Sequence, residues 1–458
     1  MSLAESPVYS SSSDDFAGLL ERELESGSSE SSPVEEDKEA DDNGSDVESE
    51  SRIKRRKVEN AENLEETSGS TSQGFSEQKS EVSAVEDMCA HPGSFGDMCF
   101  LCGQRLNEQS GVTFGYIHKG LRLNNDEIDR LRNTDIKKSL HRKKLYLVLD
   151  LDHTLLNSTQ LNHMTAEEEY LMSPTDSLPD VLKGSLFRLD LMRMMTKLRP
   201  FIRTFLKEAS EMFEMYVYTM GDRAYALEMA KLLDPNKEYF GDRVISRDDG
   251  TLKNQKGLDI VLGQESAVLI LDDTENAWAK HKDNLILMER YHFFRSSCHQ
   301  FGFTCESLSE MKTDESEPEG ALANVLDLLK RIHKIFFNEL GGNLIDRDVR
   351  QVLKTVRKEV LKGCKVMFSR IIPSKVPADN HHLWKMAEQL GAICSTEVDS
   401  SVTHVVALDA GTEKSRWAVK QKKFLVHPGW VEAANYMWRK QPEEKFPVTE
   451  TKSKTQTQ

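Results

Sequence analysis

The chain has 458 residues and a formal net charge of −16, with 60 Lys and Arg against 76 Asp and Glu. Single cores rarely grow past about 250 residues, so two or three domains are expected, and the acidic balance excludes a protein built to coat nucleic acid. No run of about 18 apolar residues occurs, and Ser, Asp and Glu stand where a secretory leader would be apolar, so neither a membrane association nor an export signal is expected. Seven cysteines, an odd number, fit reduced thiols in a reducing compartment better than a disulfide framework.

Residues 1–86 are dominated by Ser, Glu, Asp and Gly and nearly lack aromatics, so they cannot bury enough apolar surface to offset their ordering entropy; a disordered acidic tail is expected. Within it lies Arg52-Ile53-Lys54-Arg55-Arg56-Lys57, a basic cluster in acidic surroundings that fits a nuclear localisation signal as well as a solvated charge run. Residues 87–140 form a Cys/His segment and linker, in which Cys89, His91, Cys99 and Cys102 offer four ligands for one tetrahedral Zn²⁺, with incidental reduced thiols as the alternative.

Residues 141–312 carry the strongest pattern. Leu145 to Leu151 (LYLVLDL) reads as a strand buried on both faces, 199–213 as an amphipathic helix and 215–219 as a second strand. A helix over 224–233, a short strand over 243–246 and a third apolar strand over 266–271 follow, an alternation that implies a parallel α/β sheet with helices on both faces. Residues 313–357 read as a connector of two amphipathic helices. Residues 358–450 read as a second, smaller α/β unit, and 451–458 as a tail.

Asp150 and Asp152 fall just past the first buried strand, at the sheet edge where ligands of open parallel sheets gather. Strand periodicity puts i and i+2 on one face, so one carboxylate can attack while the other moves protons; capping of the next helix is the structural alternative. The second strand ends in Thr219 and the third in Asp272-Asp273, with Lys256 between them. The ordered segments DLDHTLL, YVYTMGDRAYA, RVISRDDG, NQKGLDIVLG and LILDDTENAW, within residues 145–303, resemble the haloacid dehalogenase superfamily. More narrowly, they resemble its RNA polymerase II C-terminal-domain phosphatases of the TFIIF-associating type.

That resemblance implies a haloacid-dehalogenase-like fold and a protein serine/threonine phosphatase acting on the polymerase C-terminal repeat domain in the nucleus. It makes Asp150 the nucleophile that forms an aspartyl-phosphate and Asp152 the general acid and base. A carboxylate attacking a phosphate dianion needs a hard cation, Mg²⁺ in the family with Mn²⁺ or Co²⁺ as substitutes. Asp150, the Asp152 carbonyl and Asp273 would hold it, with Asp272 in support. Thr219 would donate its hydroxyl to a phosphoryl oxygen, and Lys256 would supply positive charge to the phosphate and the nucleophile. Arg223 is a further phosphate contact or else an ion pair with Asp222 or Glu228, and Arg247 lines the site or merely balances neighbouring acids. His153, at i+1, points away and is structural. No segment between the catalytic strands looks long enough for a full cap, so an open site and a protein substrate are expected.

The C-terminal unit resembles a BRCT domain through Gly391-Ala392, the Thr403-His404-Val405-Val406 strand and Trp430, which is expected in the core. Ser369 with Lys414 is its loosely matched phosphate-binding pair. The layout resembles plant members of the family. Lacking the long acidic end of fungal and animal relatives, it leaves the association with TFIIF subunits open. A catalytically dead scaffold that only binds phosphorylated partners is the competing reading, and the intact carboxylates argue against it.

Overall fold

The computed structural model describes residues 89–106, 111–173, 177–373 and 375–449. The expectations for residues 1–86, the basic cluster at 52–57 and the tail at 451–458 lie outside the described residues. The first element is a small antiparallel sheet of β1 (Gly93–Phe95), β2 (Met98–Cys99), β3 (Val112–Thr113) and β4 (Leu121–Leu123), in the order β2-β1-β4-β3. Helix α1 (Asn125–His141) follows, started by Asn124, whose side chain accepts a hydrogen bond from the Glu127 amide.

The main sheet is built from β5 (Leu145–Leu149), β9 (Phe213–Tyr218), β10 (Val244–Ile245), β11 (Val268–Asp272) and β12 (Leu285–Leu287). All neighbours are parallel, in the order β10-β9-β5-β11-β12. Every residue of β5 and β11 is buried, as their unbroken apolar runs require of strands covered on both faces. β5 lies between β9 and β11, pairing Leu149 with both Val217 and Leu271. Three strand ends therefore open side by side, and the chain leaves the central strand at the crevice where open α/β sheets bind ligands.

Helices α2 (Ile202–Met212) and α3 (Arg223–Leu233) flank β9 in sequence. Between β5 and α2 the chain inserts β6 (Leu156–Gln160), β7 (Leu186–Leu189) and β8 (Met194–Leu198) as an antiparallel sheet, order β6-β8-β7. Its own small cluster holds Leu171, Leu182, Met195, Tyr291 and Phe293. This insertion and β12 had no counterpart in the sequence reading, because their short strands mix polar and apolar residues or follow a turn closely.

Past α4 (Arg295–Gln300) come α5 (Ala321–Lys334), which ends in a π turn over Ile335–Glu339, and α6 (Val349–Lys358). Val349, Val352, Leu353 and Val356 make the buried stripe of α6 at i, i+3, i+4 and i+7. Its polar side ties to both neighbours: Arg350 lies 2.9 Å from Glu265, Lys354 2.7 Å from Asp283, and Arg357 donates to Asn435 at 2.7 Å.

The C-terminal sheet comprises β13 (Lys365–Ser369), β14 (Ile393–Ser395), β15 (His404–Ala407) and β16 (Phe424–Val426), all parallel in the order β14-β13-β15-β16. Helices α7 (His382–Gln389), α8 (Glu413–Lys420) and α9 (Gly429–Met437) accompany it. Gly391 sits at φ +93°, and a Cβ there would meet the Lys358 carbonyl at 1.8 Å, so only glycine allows that approach. Trp430 is fully buried and donates to the Gln441 carbonyl at 2.9 Å, the core role expected of it. One hydrophobic cluster runs from Phe114 through the main sheet and both connector helices to Trp438.

Candidate active site

Asp150 follows β5 directly, and its amide donates to the Leu271 carbonyl of β11 at 3.0 Å, which fixes the strand end. The turn beyond is tight. His153 adopts φ +62°, and the Leu155 amide closes back on Leu151 at 2.9 Å. Buried Arg199 donates to the Thr154 carbonyl at 3.0 Å and pairs with Glu315 at 2.7 Å, clamping this turn from below. The His153 ring reaches the Tyr291 carbonyl at 3.2 Å and packs on His292 and Phe301, a structural role.

Lys256 is buried at the centre. Its Nζ donates to Asp150 Oδ1 at 2.5 Å and to Asp272 Oδ2 at 2.6 Å, under the rings of Tyr218 and Trp278. Burial alone would lower the Lys256 pKa, but the two carboxylates outweigh it and hold the ammonium charged. Asp272 also accepts from Trp278 Nε1 and the Thr274 amide, both at 2.8 Å, so its oxygens are committed to support. Burial raises the Asp150 and Asp272 carboxyls, and for Asp150 the neighbouring Asp272 adds to the rise. Asp273 is also pushed up by burial, yet Arg290 at 2.5 Å leads the charges that hold it below its usual range.

Asp150, Asp272 and Asp273 each bring an oxygen within 4.8 Å of the others. With Asp152 they make four carboxylates facing Lys256 and Arg290, an excess of negative charge in a low-dielectric setting. An all-oxygen donor set of this kind fits a hard divalent cation, whose charge would favour the ionised forms that burial opposes. Asp152 takes a different partner: the Tyr225 hydroxyl donates to its Oδ1 at 2.5 Å, and Thr219 Oγ1 stands 3.5 Å from its Oδ2. Burial raises the Asp152 carboxyl, and the Tyr225 hydrogen bond pulls it back.

The chain is 60% identical over 457 residues to RNA polymerase II C-terminal domain phosphatase-like 4 of Arabidopsis thaliana, a match covering 99% of this chain and 98% of that one. The chain belongs to the RNA polymerase II C-terminal domain phosphatase-like family. It is a phosphatase, and its aspartate cluster suits a divalent metal. Phosphatase-like 3 of the same plant is 44% identical over 67% of this chain, which spans 25% of that longer relative. Residues 145–316 match the NLI interacting factor-like phosphatase model, and residues 369–430 match the twin BRCT domain model. The structure of Fcp1, an essential RNA polymerase II CTD phosphatase, superposes with a TM-score of 0.56 at 26% identity, over 70% of this chain and 100% of that one. Fission yeast Fcp1 bound to beryllium fluoride matches with the same score at 27% identity.

In this member of the family the fold assembles Asp150, Asp152, Thr219, Lys256, Asp272 and Asp273. Arg223 does not make the ion pair that was its structural alternative. Its guanidinium donates to the Val244 carbonyl and lies 3.4 Å from Asp249, rather than pairing with Asp222 or Glu228, because Asp222 is taken up capping α3 through the Tyr225 amide. The Arg247 side chain is 42% exposed and 3.7 Å from Asp248, while its amide bonds Gly221 and so holds the loop after Thr219. Tyr225 and Arg290 escaped the sequence reading. Tyr225 lies within the quoted YVYTMGDRAYA, in the first turn of α3 and seven residues past the end of β9, and an aromatic there was the available signal. Arg290 has no local motif.

Cys89, His91, Cys99 and Cys102 also converge, their ligand atoms all within 4.8 Å of one another. The Cys89 and Cys99 sulfurs are 3.9 Å apart, close to the ~3.8 Å edge of a tetrahedron with bonds of about 2.3 Å. Backbone amides of Cys102 and Leu101, with the His91 side chain, hold the Cys99 thiol down at about 6. In the C-terminal unit the Ser369 hydroxyl is buried against Thr412 at 2.7 Å, and Lys414 donates to the Thr396 carbonyl at 3.0 Å.

Proposed function

We propose that this protein is a nuclear phosphoserine and phosphothreonine phosphatase of the RNA polymerase II C-terminal repeat domain, working through an aspartyl-phosphate, a mixed anhydride, on Asp150. The observation that carries this reading is the contrast between two carboxylates two residues apart. Asp150 is paired with a buried ammonium, which suits an ionised nucleophile, and Asp152 with a hydroxyl donor, which suits a group that exchanges its proton. Asp150 attacks phosphorus as the bond to the serine or threonine oxygen breaks, and Asp152 gives that oxygen its proton. Asp152 then takes a proton from the water that attacks the phosphorus and releases inorganic phosphate, regenerating the Asp150 carboxylate. Lys256 and Thr219 face the phosphoryl oxygens, with Arg223 and Arg247 at the neighbouring loop. Asp150, the Asp152 carbonyl and Asp273, with Asp272 in support, would hold Mg²⁺, which would supply the positive charge that offsets repulsion between carboxylate and phosphate. The same reading places a structural Zn²⁺ on Cys89, His91, Cys99 and Cys102.

Phosphate release from phosphorylated repeat peptides, measured for wild type and Asp150→Asn side by side, tests the mechanism. Turnover stopped by EDTA, restored by Mg²⁺ and absent in Asp150→Asn is the expected result; retained turnover in the variant would sink the phosphoenzyme. Zinc that survives mild EDTA treatment and is lost in Cys99→Ser with Cys102→Ser is expected for the second metal, and zinc missing from wild type would remove that site.

A further inference from the structure

The end of α1 and the turn into β5 carry Lys137, Lys138, His141, Arg142, Lys143 and Lys144, six basic residues in eight positions of a chain with net charge −16. The first five are exposed and Lys144 is half-buried. Glu214 is the carboxylate that answers them, and it is shared by Arg142 at 3.5 Å, Lys144 at 3.7 Å and Arg243 at 3.6 Å. Among the described residues no ion pair involves Lys137, Lys138 or Lys143. His333 of α5 bonds the Lys143 carbonyl at 2.7 Å and brings a second element to the same knot.

Helix-end cations are stabilised by the helix dipole, which accounts for Lys138 and His141. It does not account for the rest. Lys143 adopts φ +54° just past the helix, where glycine is the default and a Cβ is strained, and Lys138 repels Arg142 at i+4. A surface that carries these costs fits one that meets an anion.

We infer that this basic knot is an exosite for phosphates of the same substrate chain that are not in the active site; the inference rests on the repeat-domain reading above. Lys144 precedes the first residue of β5 and Asp150 follows its last, so the two sites lie at opposite ends of one strand, about 20 Å apart through the sheet. A single phosphorylated residue with short flanks cannot occupy both. A repeat array carrying several phosphates can, and tethering turns the second contact into an intramolecular one. Phosphopeptide is favoured over single-stranded nucleic acid because the exposed aromatics of the described residues, Phe95, Phe100 and Phe424, lie outside the knot, and base stacking needs such platforms.

The test uses the full chain, wild type against K137E/K138E/K143E, with fluorescent repeat peptides bearing one phosphoserine or four spread over several repeats. Binding is read by anisotropy, independently of turnover. The variant should lose about tenfold in affinity, and in kcat/KM through KM, on the four-phosphate peptide, and match wild type on the single-phosphate peptide. Added salt should erase the wild-type preference for the longer peptide. Unchanged binding of the four-phosphate peptide, or equal losses on both peptides, overturns the exosite. An RNA oligonucleotide of matched charge that binds wild type more tightly than the peptide, and is lost in the variant, overturns the phosphopeptide assignment. Intact exosite binding without any turnover of either peptide would instead count against the phosphatase reading alone.

Discussion

The main sheet and the C-terminal sheet are built alike, with central parallel strands buried over most of their length and ending in polar side chains, but they treat those ends in opposite ways. Behind β13, the Ser369 hydroxyl meets Thr412 at 2.7 Å, Thr412 meets Ser415 at 2.6 Å, and Ser415 donates to the Asp409 carbonyl at 2.8 Å. This chain is neutral and closed. Behind β5 and β11, Asp150 and Asp272 share Lys256, Asp273 pairs with Arg290 and Asp152 accepts from the Tyr225 hydroxyl, so that among the described residues two paired cations answer four carboxylates. A closed hydroxyl chain stabilises a strand end; a cluster of like charges is held there by the rest of the fold and is relieved only by what it binds.

Substitutions in the two sheets should separate these behaviours. Asp150→Asn should lower turnover of phosphopeptide at least about 1,000-fold, because no other carboxylate replaces the nucleophile, while the melting temperature holds or rises as one like charge leaves the cluster. Calorimetry and phosphate release on the same preparation check both halves. Lys256→Ala should cost about 3–5 kcal/mol in urea unfolding, since it strands Asp150 and Asp272 without their cation, and added Mg²⁺ should return part of that loss. Stability unmoved by the substitution would show that the cluster is already protonated.

Tyr225→Phe keeps the ring and removes the hydrogen bond that favours ionised Asp152. A kcat about tenfold lower is expected, with the limb of the pH–rate profile that reports Asp152 moved to higher pH. A profile that stays in place would assign that limb to another group.

Glu432 on α9 is a half-buried carboxylate of the C-terminal unit, and burial pushes its carboxyl up to about 7. A folded pKa above the unfolded value means that the folded state holds the proton more tightly, so stability is full at acidic pH and falls as pH rises through about 7. Glu432→Gln should flatten that slope and gain about 1–2 kcal/mol at pH 8, less than the whole shift because the carboxyl keeps partial access to water. Ser369→Ala, which opens the hydroxyl chain, should cost about 1 kcal/mol and leave phosphate release untouched. A large catalytic loss there would couple the two sheets in a way that their separate strand ends do not suggest.

Local chemistry made much of this readable in advance. Long apolar runs such as LYLVLDL and SAVLIL can only be strands covered on both faces, and a carboxylate directly after such a run must emerge at the sheet edge, so Asp150, Asp152, Thr219 and Asp272-Asp273 were placed by period and position alone. The convergence of Cys89, His91, Cys99 and Cys102 was legible for the same reason, since their spacing is local. The resemblance had already set the charge of Lys256 beside Asp150, and the tertiary structure decided the other groups that answer those carboxylates. Lys256 settles between Asp150 and Asp272, Arg290 reaches Asp273 from the loop after β12, and Tyr225 turns to Asp152 while Arg223, two residues away, turns to Asp249. Apart from β10, which falls within the short strand read over 243–246, the two-residue and three-residue strands and the inserted sheet were likewise invisible, because segments that short take their conformation from neighbours distant in sequence. Backbone period is a property of adjacent residues, whereas charge partnership depends on which elements pack together, and that is set only when the core closes.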